Sequence, residues 1–123
     1  ANPDKVVRKG TRLLYCAGAL AEAYAAMGGG VLMAGKPFAP IYNLALDVAS
    51  RVAGRSCTAA DALALGDGPE TDIRGAAEFG IPAVLIADGV NDLSHGLEAL
   101  QARVTAAVPA ARILLTLPAL SWG

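Results

Sequence analysis

The sequence predicts an α/β fold, in which a parallel sheet of about four strands carries helices on both faces. Short apolar runs alternate along the chain with longer segments whose apolar residues recur at helical spacing. The short runs are apolar throughout, which is typical of strands that are buried on both faces of a parallel sheet. We therefore expect strand–helix–strand repeats that are joined by right-handed crossovers.

The first half of the chain predicts one strand between two helices. Residues 17–27 are expected to be helical, and the glycines at 28–30 end that helix because glycine tolerates the left-handed conformation. The apolar run at 31–34 suits a buried strand. The next helix has Pro40 in its first turn, where a missing N–H costs nothing, and it ends at Gly54.

The second half repeats the pattern and adds three strands. Turns that contain glycine or proline separate its segments. The predicted elements are a strand at 62–65, a helix that is capped by Thr71 and ends at Phe79, a strand at 82–87, a helix at 93–104 and a strand at 112–117.

Composition and charge exclude several classes of protein. The 123 residues carry a net charge of −1 with the signs interspersed, unlike the basic stripe of a nucleic-acid binder. No apolar run approaches the roughly 20 residues that span a bilayer. Cys16, Cys57 and the single histidine, His95, lack the spacing of a zinc site. A single disulfide is the alternative, but nothing in the sequence indicates one, so we expect free thiols in a reducing compartment. Because signal peptide and initiator methionine are both absent, we interpret the chain as a truncated or cleaved cytoplasmic protein.

Two polar sites directly follow predicted strands. Lys36 lies in the loop after residues 31–34, and Asp67 lies in the turn Gly66-Asp67-Gly68 after the next strand. Ligands bind outside the carboxyl ends of parallel strands, so a cation and a carboxylate there suit a phosphate and a metal ion. Each of these residues also has a purely structural interpretation. Lys36 could be a solvated loop lysine, and Gly66-Asp67-Gly68 is a common turn composition. Asp72, further along the same loop, could place a negative charge in the first turn of its helix, where the helix dipole favours it.

The pattern Gly66-x-Gly68 raises the alternative of a dinucleotide-binding loop. Its third glycine position is occupied by Thr71. The carboxylates of Asp67, Glu70 and Asp72 would repel a pyrophosphate unless a metal ion intervened. Hard oxygen ligands beside a phosphate favour Mg²⁺, so the loop suits a metal ion better than a bare phosphate.

Several segments resemble motifs of the haloacid-dehalogenase-like (HAD) hydrolases. Ala34-Gly35-Lys36-Pro37, followed by Pro40-Ile41-Tyr42, resembles their third motif. Residues 65–73 resemble their fourth motif, which has the form GD-x-x-x-TD. Asn2-Pro3-Asp4 resembles the NPD signature of the class IIA branch, whose members carry a large mobile cap, and residues 16–20 are similar to that branch too. The resemblance covers essentially the whole chain, with the motifs in the family's order.

The resemblance implies a phosphatase with a Rossmann-like core that uses Mg²⁺ and forms an aspartyl-phosphate. Lys36 would be catalytic, because it would stabilise the nucleophile and the transferring phosphoryl group. Asp67 would bind the metal ion, and Asp72 would serve the same metal site by orienting a metal-bound water or the loop. Asn2 and Asp4 would lie near the junction of cap and core and would help to shape the substrate pocket.

One departure from the family concerns its first motif, D-x-D, which holds the nucleophile and the general acid or base. No two aspartates of this sequence are separated by a single residue. The resemblance therefore identifies residues 1–123 as the C-terminal part of the core domain of a longer phosphatase. Residues 1–14 would be what is left of the cap junction. We expect such an incomplete core to be inactive alone.

The expected partner is a small phosphorylated metabolite, and we expect neither nucleic acid nor membrane. A missing nucleophile strand would leave a strand edge and an apolar surface open, which predicts a homo-oligomer or association with the missing N-terminal half. Two alternatives are a non-catalytic α/β module that binds a metal ion or phosphate, and an interaction domain. A D-x-D motif upstream in the gene would distinguish the enzyme from both.

Overall fold

A computed structural model of the chain describes residues 1–9, 11–89 and 91–121. In chain order the elements are β1 (Val6–Lys9), β2 (Arg12–Tyr15), α1 (Ala17–Ala26), α2 (Ala39–Ala53), β3 (Ala64–Gly66), α3 (Arg74–Glu78), β4 (Ala83–Ile86), α4 (Gly96–Ala107) and β5 (Ile113–Leu117). A 3₁₀ turn at Ala59–Asp61 precedes β3, and a π-helical turn at Pro69–Ile73 leads into α3. Among the described residues, no helix combines the length and the apolar character that crossing a membrane requires.

The central sheet has the order β3-β4-β5, and all its strands are parallel. In the register of β3 and β4, Gly66 lies beside Leu85, so the two strands end at the same edge of the sheet. The predicted α/β class with a parallel sheet is therefore confirmed. The last three predicted strands and the helices between them all occur, with boundaries that differ by a few residues.

The strand predicted at 31–34 is not formed, so the parallel sheet in the described part of the chain has three strands rather than about four. This segment makes its backbone contacts with the first residue instead. The Ala34 N–H donates to the Ala1 carbonyl at 2.9 Å, and the Ala1 amino group donates to the Leu32 carbonyl. These two hydrogen bonds do not form a strand ladder.

The antiparallel hairpin of β1 and β2 was not predicted. Its four residue pairs run from Val6 opposite Tyr15 to Lys9 opposite Arg12. β1 contains only two apolar residues, Val6 and Val7, and the apolar run that begins at Leu13 continues into the predicted helix. Neither strand therefore shows period-2 alternation or a short apolar run with clear bounds. The residues expected to be a remnant of a cap junction therefore include a formed element.

The hydrophobic core lies on one face of the sheet. Ala83 and Leu85 of β4 and Ala87, which directly follows it, alternate along the chain and contact α3, α4 and the π-helical turn through buried apolar side chains. The members of this core are Ile73, Ala76, Ile81, Ala83, Leu85, Ala87, Leu100, Val104 and Val108. The core therefore anchors the turn after β3 to the middle strand of the sheet.

Helix α2 begins and ends where its sequence predicts, with proline in its first turn and Gly54 in the left-handed conformation at its end. All 15 of its residues are nevertheless exposed or half-buried. Leu44 and Val48, on its apolar face, are 54% and 45% exposed. The amphipathic pattern of this helix therefore has no matching core within the described residues.

Candidate active site

Asp72 is the buried centre of the candidate site, with only 8% of its surface exposed. Its Oδ1 accepts a hydrogen bond from Nζ of Lys36, and its Oδ2 accepts one from the N–H of Gly68 at 3.0 Å. A buried carboxylate is stable only when its charge and its acceptor positions are satisfied, and here a cation and a backbone donor satisfy both oxygens. The loop after residues 31–34 is thereby joined to the loop after β3.

Glycines allow the loop after β3 to close around that carboxylate. A Cβ on Gly66 would lie 2.3 Å from Cγ of Asp72, and one on Gly68 would lie 2.3 Å from Oγ1 of Thr71. The loop continues into the π-helical turn, where the N–H of Asp72 donates to the Gly68 carbonyl at 2.9 Å. Thr71 lies inside this turn, and Gly68 precedes it, so the predicted threonine cap is wrong.

Lys36 remains charged at neutral pH. The hydrogen bond to Asp72 is the largest cause that raises its pKa above the ordinary value; burial opposes this, and the nearby Asp72, Tyr42 and Asp67 also favour the charged form. Its side chain is 54% exposed, so the ammonium group can reach an incoming anion while it remains bonded to Asp72. This geometry suits the stabilisation of a phosphoryl group.

Asp67 directly follows β3 and is half-buried. Its Oδ2 would lie 2.1 Å from a Cβ added to Gly89, a residue whose φ of +112° favours glycine in any case. Its backbone carbonyl accepts a hydrogen bond from Nδ2 of Asn91 at 2.8 Å. Asp67 also lines a cavity of about 390 Å³, together with Asp88 and Leu120.

The donors fit one part of a magnesium site. Mg²⁺ usually takes one or two protein carboxylates and completes its shell with waters and substrate phosphate, and Asp67 offers such a carboxylate at the edge of the sheet. Both Asp72 oxygens already accept hydrogen bonds from Lys36 and Gly68. Within the described ranges, no group of three or more His, Cys, Asp or Glu side chains is arranged to hold a metal ion. A complete site would therefore draw on further ligands.

Asn2 and Asp4 lie beside Lys36. The Asn2 side-chain oxygen accepts a hydrogen bond from the Asp4 N–H at 2.9 Å, which forms an Asx turn. Pro3, between them, packs against two glycines: a Cβ on Gly35 would lie 2.5 Å from its Cδ, and one on Gly18 would lie 2.2 Å from its oxygen. The NPD segment is therefore held between α1 and the lysine loop.

A cleft of about 230 Å³ brings these predicted residues together. It is lined by Asn2, Asp4, Gly35, Lys36, Ile41 and Thr71. The structure thus places the lysine next to the candidate substrate residues on one side and next to Asp72 on the other.

Three contributors were given no role by sequence reasoning, although one of them, Tyr42, lies in the segment that resembles the third motif. Gly89 and Asn91 follow β4 at the same edge of the sheet, so the strand-end rule that selected Lys36 and Asp67 applied to them as well. Tyr42 stacks on Phe79 with ring centroids 5.0 Å apart. Burial and then the charge of Asp72 raise the pKa of Tyr42. No local pattern indicates this last contact.

Comparison with known proteins decides the family. Residues 33–112 match the family model described as HAD-hydrolase-like. The chain belongs to the HAD-like hydrolases. The match includes the segments around Lys36 and Asp67, and it ends before the last strand. None of the curated proteins matches the chain.

Solved structures resemble this HAD-like hydrolase over almost its full length. A haloacid-dehalogenase-like hydrolase from Brucella suis is 38% identical with a TM-score of 0.71, and the alignment covers 98% of this chain and 42% of that protein. A glycerol phosphate phosphatase from Mycobacterium tuberculosis, in complex with magnesium, is 28% identical with a TM-score of 0.66. The alignment covers 94% of this chain and 30% of that protein. A p-nitrophenyl phosphatase from Archaeoglobus fulgidus, at 22% identity and a TM-score of 0.70, shares the fold over 96% of this chain and 41% of that protein.

The HAD-like chain therefore spans less than half the length of these three proteins. Two p-nitrophenyl phosphatases among the neighbours share the fold of this chain.

Proposed function

We propose that this chain contributes part of the active site of a magnesium-dependent HAD-like phosphatase that hydrolyses a small phosphorylated metabolite. One observation carries the proposal: buried Asp72 joins Lys36 to the loop that begins with Asp67. A cation and a metal-binding carboxylate are thereby held at one edge of a parallel sheet, where such folds bind ligands.

In this proposal Lys36 stabilises the negative charge of the phosphoryl group and of the attacking carboxylate. Asp72 keeps the ammonium group charged and in place, since it accepts a hydrogen bond from Lys36 and is itself fixed by Gly68. A preorganised charge of this kind stabilises a transition state more than a mobile one does.

Asp67 is the proposed magnesium ligand, and Asp72 holds the loop of that site. When bound, Mg²⁺ would offset the negative charge that develops on the phosphoryl group. The carboxylate of Asp67 packs against Gly89, so its direction is limited before any metal binds. The magnesium complex of the glycerol phosphate phosphatase supports this choice of metal.

The nucleophile is proposed to come from polypeptide outside these 123 residues. The sequence has no D-x-D motif, and the similar structures are more than twice as long as the part they share with this chain. An aspartate of that motif would attack phosphorus, which would break the bond to the substrate's oxygen, release the alcohol and give an aspartyl-phosphate; water would then hydrolyse the aspartyl-phosphate to free phosphate. Residues 1–123 would then be the C-terminal part of the core domain, with residues 1–14 at its junction with a cap.

The proposed substrate lies in the cleft that contains Asn2, Asp4 and Lys36. Its phosphate would face Lys36, and its remaining part would contact Asn2 and Asp4, whose polar groups suit hydroxyl-bearing compounds. The volume of about 230 Å³ favours a small metabolite over a macromolecule. The glycerol phosphate phosphatase among the neighbours acts on a compound of that kind.

The test is hydrolysis of p-nitrophenyl phosphate by the natural polypeptide that contains these residues, with and without Mg²⁺. Lys36→Ala and Asp67→Ala should each lower kcat/KM by about a hundredfold or more, because each removes a charge that acts on the transition state. Lys9→Ala, on the exposed end of β1, is the matched control and should be fully active. Full activity of both site variants would contradict the proposal.

A second candidate is a module that binds phosphate or a metal ion without catalysis. The absence of a D-x-D motif from the sequence favours it. The same assay separates the two candidates, because natural polypeptide that binds Mg²⁺ but hydrolyses no phosphomonoester would support the second.

A further inference from the structure

We propose that Asn91 is a positioning residue for Asp67, because its side chain ties the start of the Asp67 loop to the end of β4. The inference rests on the proposed function, in which Asp67 is a magnesium ligand. Asn91 lies outside every motif that resembles the family, and it comes into contact with Asp67 only through the fold.

The carboxamide of Asn91 joins the carboxyl ends of two neighbouring strands. Its Nδ2 donates to the carbonyl of Asp67 at 2.8 Å and to the carbonyl of Ile86 at 3.2 Å. Ile86 is the last residue of β4, and Asp67 follows the last residue of β3. The amide thus donates to two carbonyl groups that lie one residue beyond the end of the ladder between β3 and β4.

The position of Asp67 depends on these contacts because β3 is short. β3 has three residues, and its register with β4 ends at Gly66, one residue before the aspartate. A bond to the Asp67 carbonyl restricts rotation about the backbone of that residue, and therefore the direction of its side chain. Gly89 limits the direction of the Asp67 carboxylate from the other side, because the two residues lie in close contact. A Cβ added to Gly89 would lie 2.1 Å from Oδ2 of Asp67.

Asparagine has the chemistry that this position needs. Aspartate has the same shape but would place acceptor oxygens against two carbonyl oxygens, which repel it. Alanine would leave the carbonyls of half-buried Asp67 and buried Ile86 without this donor. Asn91→Asp keeps the shape but replaces both donors by acceptor oxygens and adds a negative charge, whereas Asn91→Ala removes the whole group without adding a charge.

The first measurement is the Mg²⁺ dependence of p-nitrophenyl phosphate hydrolysis by the natural polypeptide that contains these residues. Partners that orient a metal ligand typically contribute 10- to 100-fold to metal affinity. We expect Asn91→Ala and Asn91→Asp to raise the Mg²⁺ concentration for half-maximal activity about tenfold, at the low end because the contact is to the backbone. The value of kcat at saturating Mg²⁺ should change much less. Asn43→Ala, at an exposed asparagine of α2, is the matched control and should have no effect.

The second measurement is amide hydrogen exchange in the same proteins without metal. Exchange should become faster at residues 66–68 in both Asn91 variants and should be unchanged in the Asn43 variant. Unchanged exchange there, or an unchanged Mg²⁺ response in an active Asn91→Ala protein, which carries no added charge, would overturn the inference and leave the proposed function standing. Wild-type protein without Mg²⁺-dependent phosphatase activity would overturn the proposed function, and with it the role of Asn91.

Discussion

Lys36 donates a hydrogen bond to the buried carboxylate of Asp72, which lies 36 positions further along the chain. The N–H of Gly68 donates to the other oxygen of the same carboxylate. Asp72 is therefore shared between the cation of one loop and the backbone of another. The ion pair of Lys36 and Asp72 therefore also connects the segment that resembles the third motif to the segment that resembles the fourth.

The first prediction concerns the pH at which the pair is lost. Asp72 raises the pKa of Lys36 above 10.5, chiefly through the hydrogen bond. A raised folded-state pKa means that the pair's contribution to stability is fully present below pH 10.5 and is lost as the pH rises through the folded-state pKa. NMR titration of the Lys36 side chain should give a midpoint above 10.5 that falls in Asp72→Asn. Glu22→Gln, which removes the partner of exposed Lys5, should leave that midpoint in place.

The second prediction tests the close approach between Gly66 and Asp72. Gly66→Ala should destabilise the chain by about 1–3 kcal/mol, because the new methyl group overlaps a carboxylate that is already fixed on both oxygens. Gly30→Ala is the matched control, since a Cβ there meets nothing within 4 Å. Urea denaturation measures both free energies of unfolding. Equal stability of the two variants would show that the loop relaxes around the added group.

The third prediction concerns association. In the described structure the apolar face of α2 is exposed, and β3 is an edge strand that pairs with β4 on one side only. The 123-residue chain should therefore form dimers or larger assemblies. Sedimentation velocity at increasing protein concentration should show this. Val48→Lys should shift the distribution towards monomer, whereas Asn43→Lys, which adds the same group on the polar side of α2, should not. A monomer at every concentration would count against the prediction.

The fourth prediction is that the 123-residue chain alone does not hydrolyse p-nitrophenyl phosphate. Lys36 can stabilise charge and Asp67 can bind a metal ion, but a stabilised transition state requires a nucleophile. Activity should appear when a polypeptide with the D-x-D motif is supplied, in the same chain or in trans. Turnover by the purified chain that disappears in Asp67→Ala would mean that it holds a nucleophile of its own.

Local pattern was sufficient for most of the secondary structure. Helix α2 shows why: Pro40 in its first turn and Gly54 at its end act within a few residues, and both are where the helix begins and ends. The candidate residues Lys36 and Asp67 were selected from the same kind of information, because loops that follow parallel strands lie at a predictable edge.

Long-range packing decided the rest. Residues 31–34 have the apolar composition of a strand, but a strand forms only where a distant segment pairs with it, and no ladder includes these residues in the described structure. The bond between Asn91 and Asp67 joins residues 24 positions apart, and no pattern around either one indicates the other. The sequence by itself determined which residues carry suitable chemistry and the ends of the elements that hold them. Only the tertiary structure determined which groups satisfy one another, because hydrogen-bond partners for buried and loop groups are set by how distant segments pack.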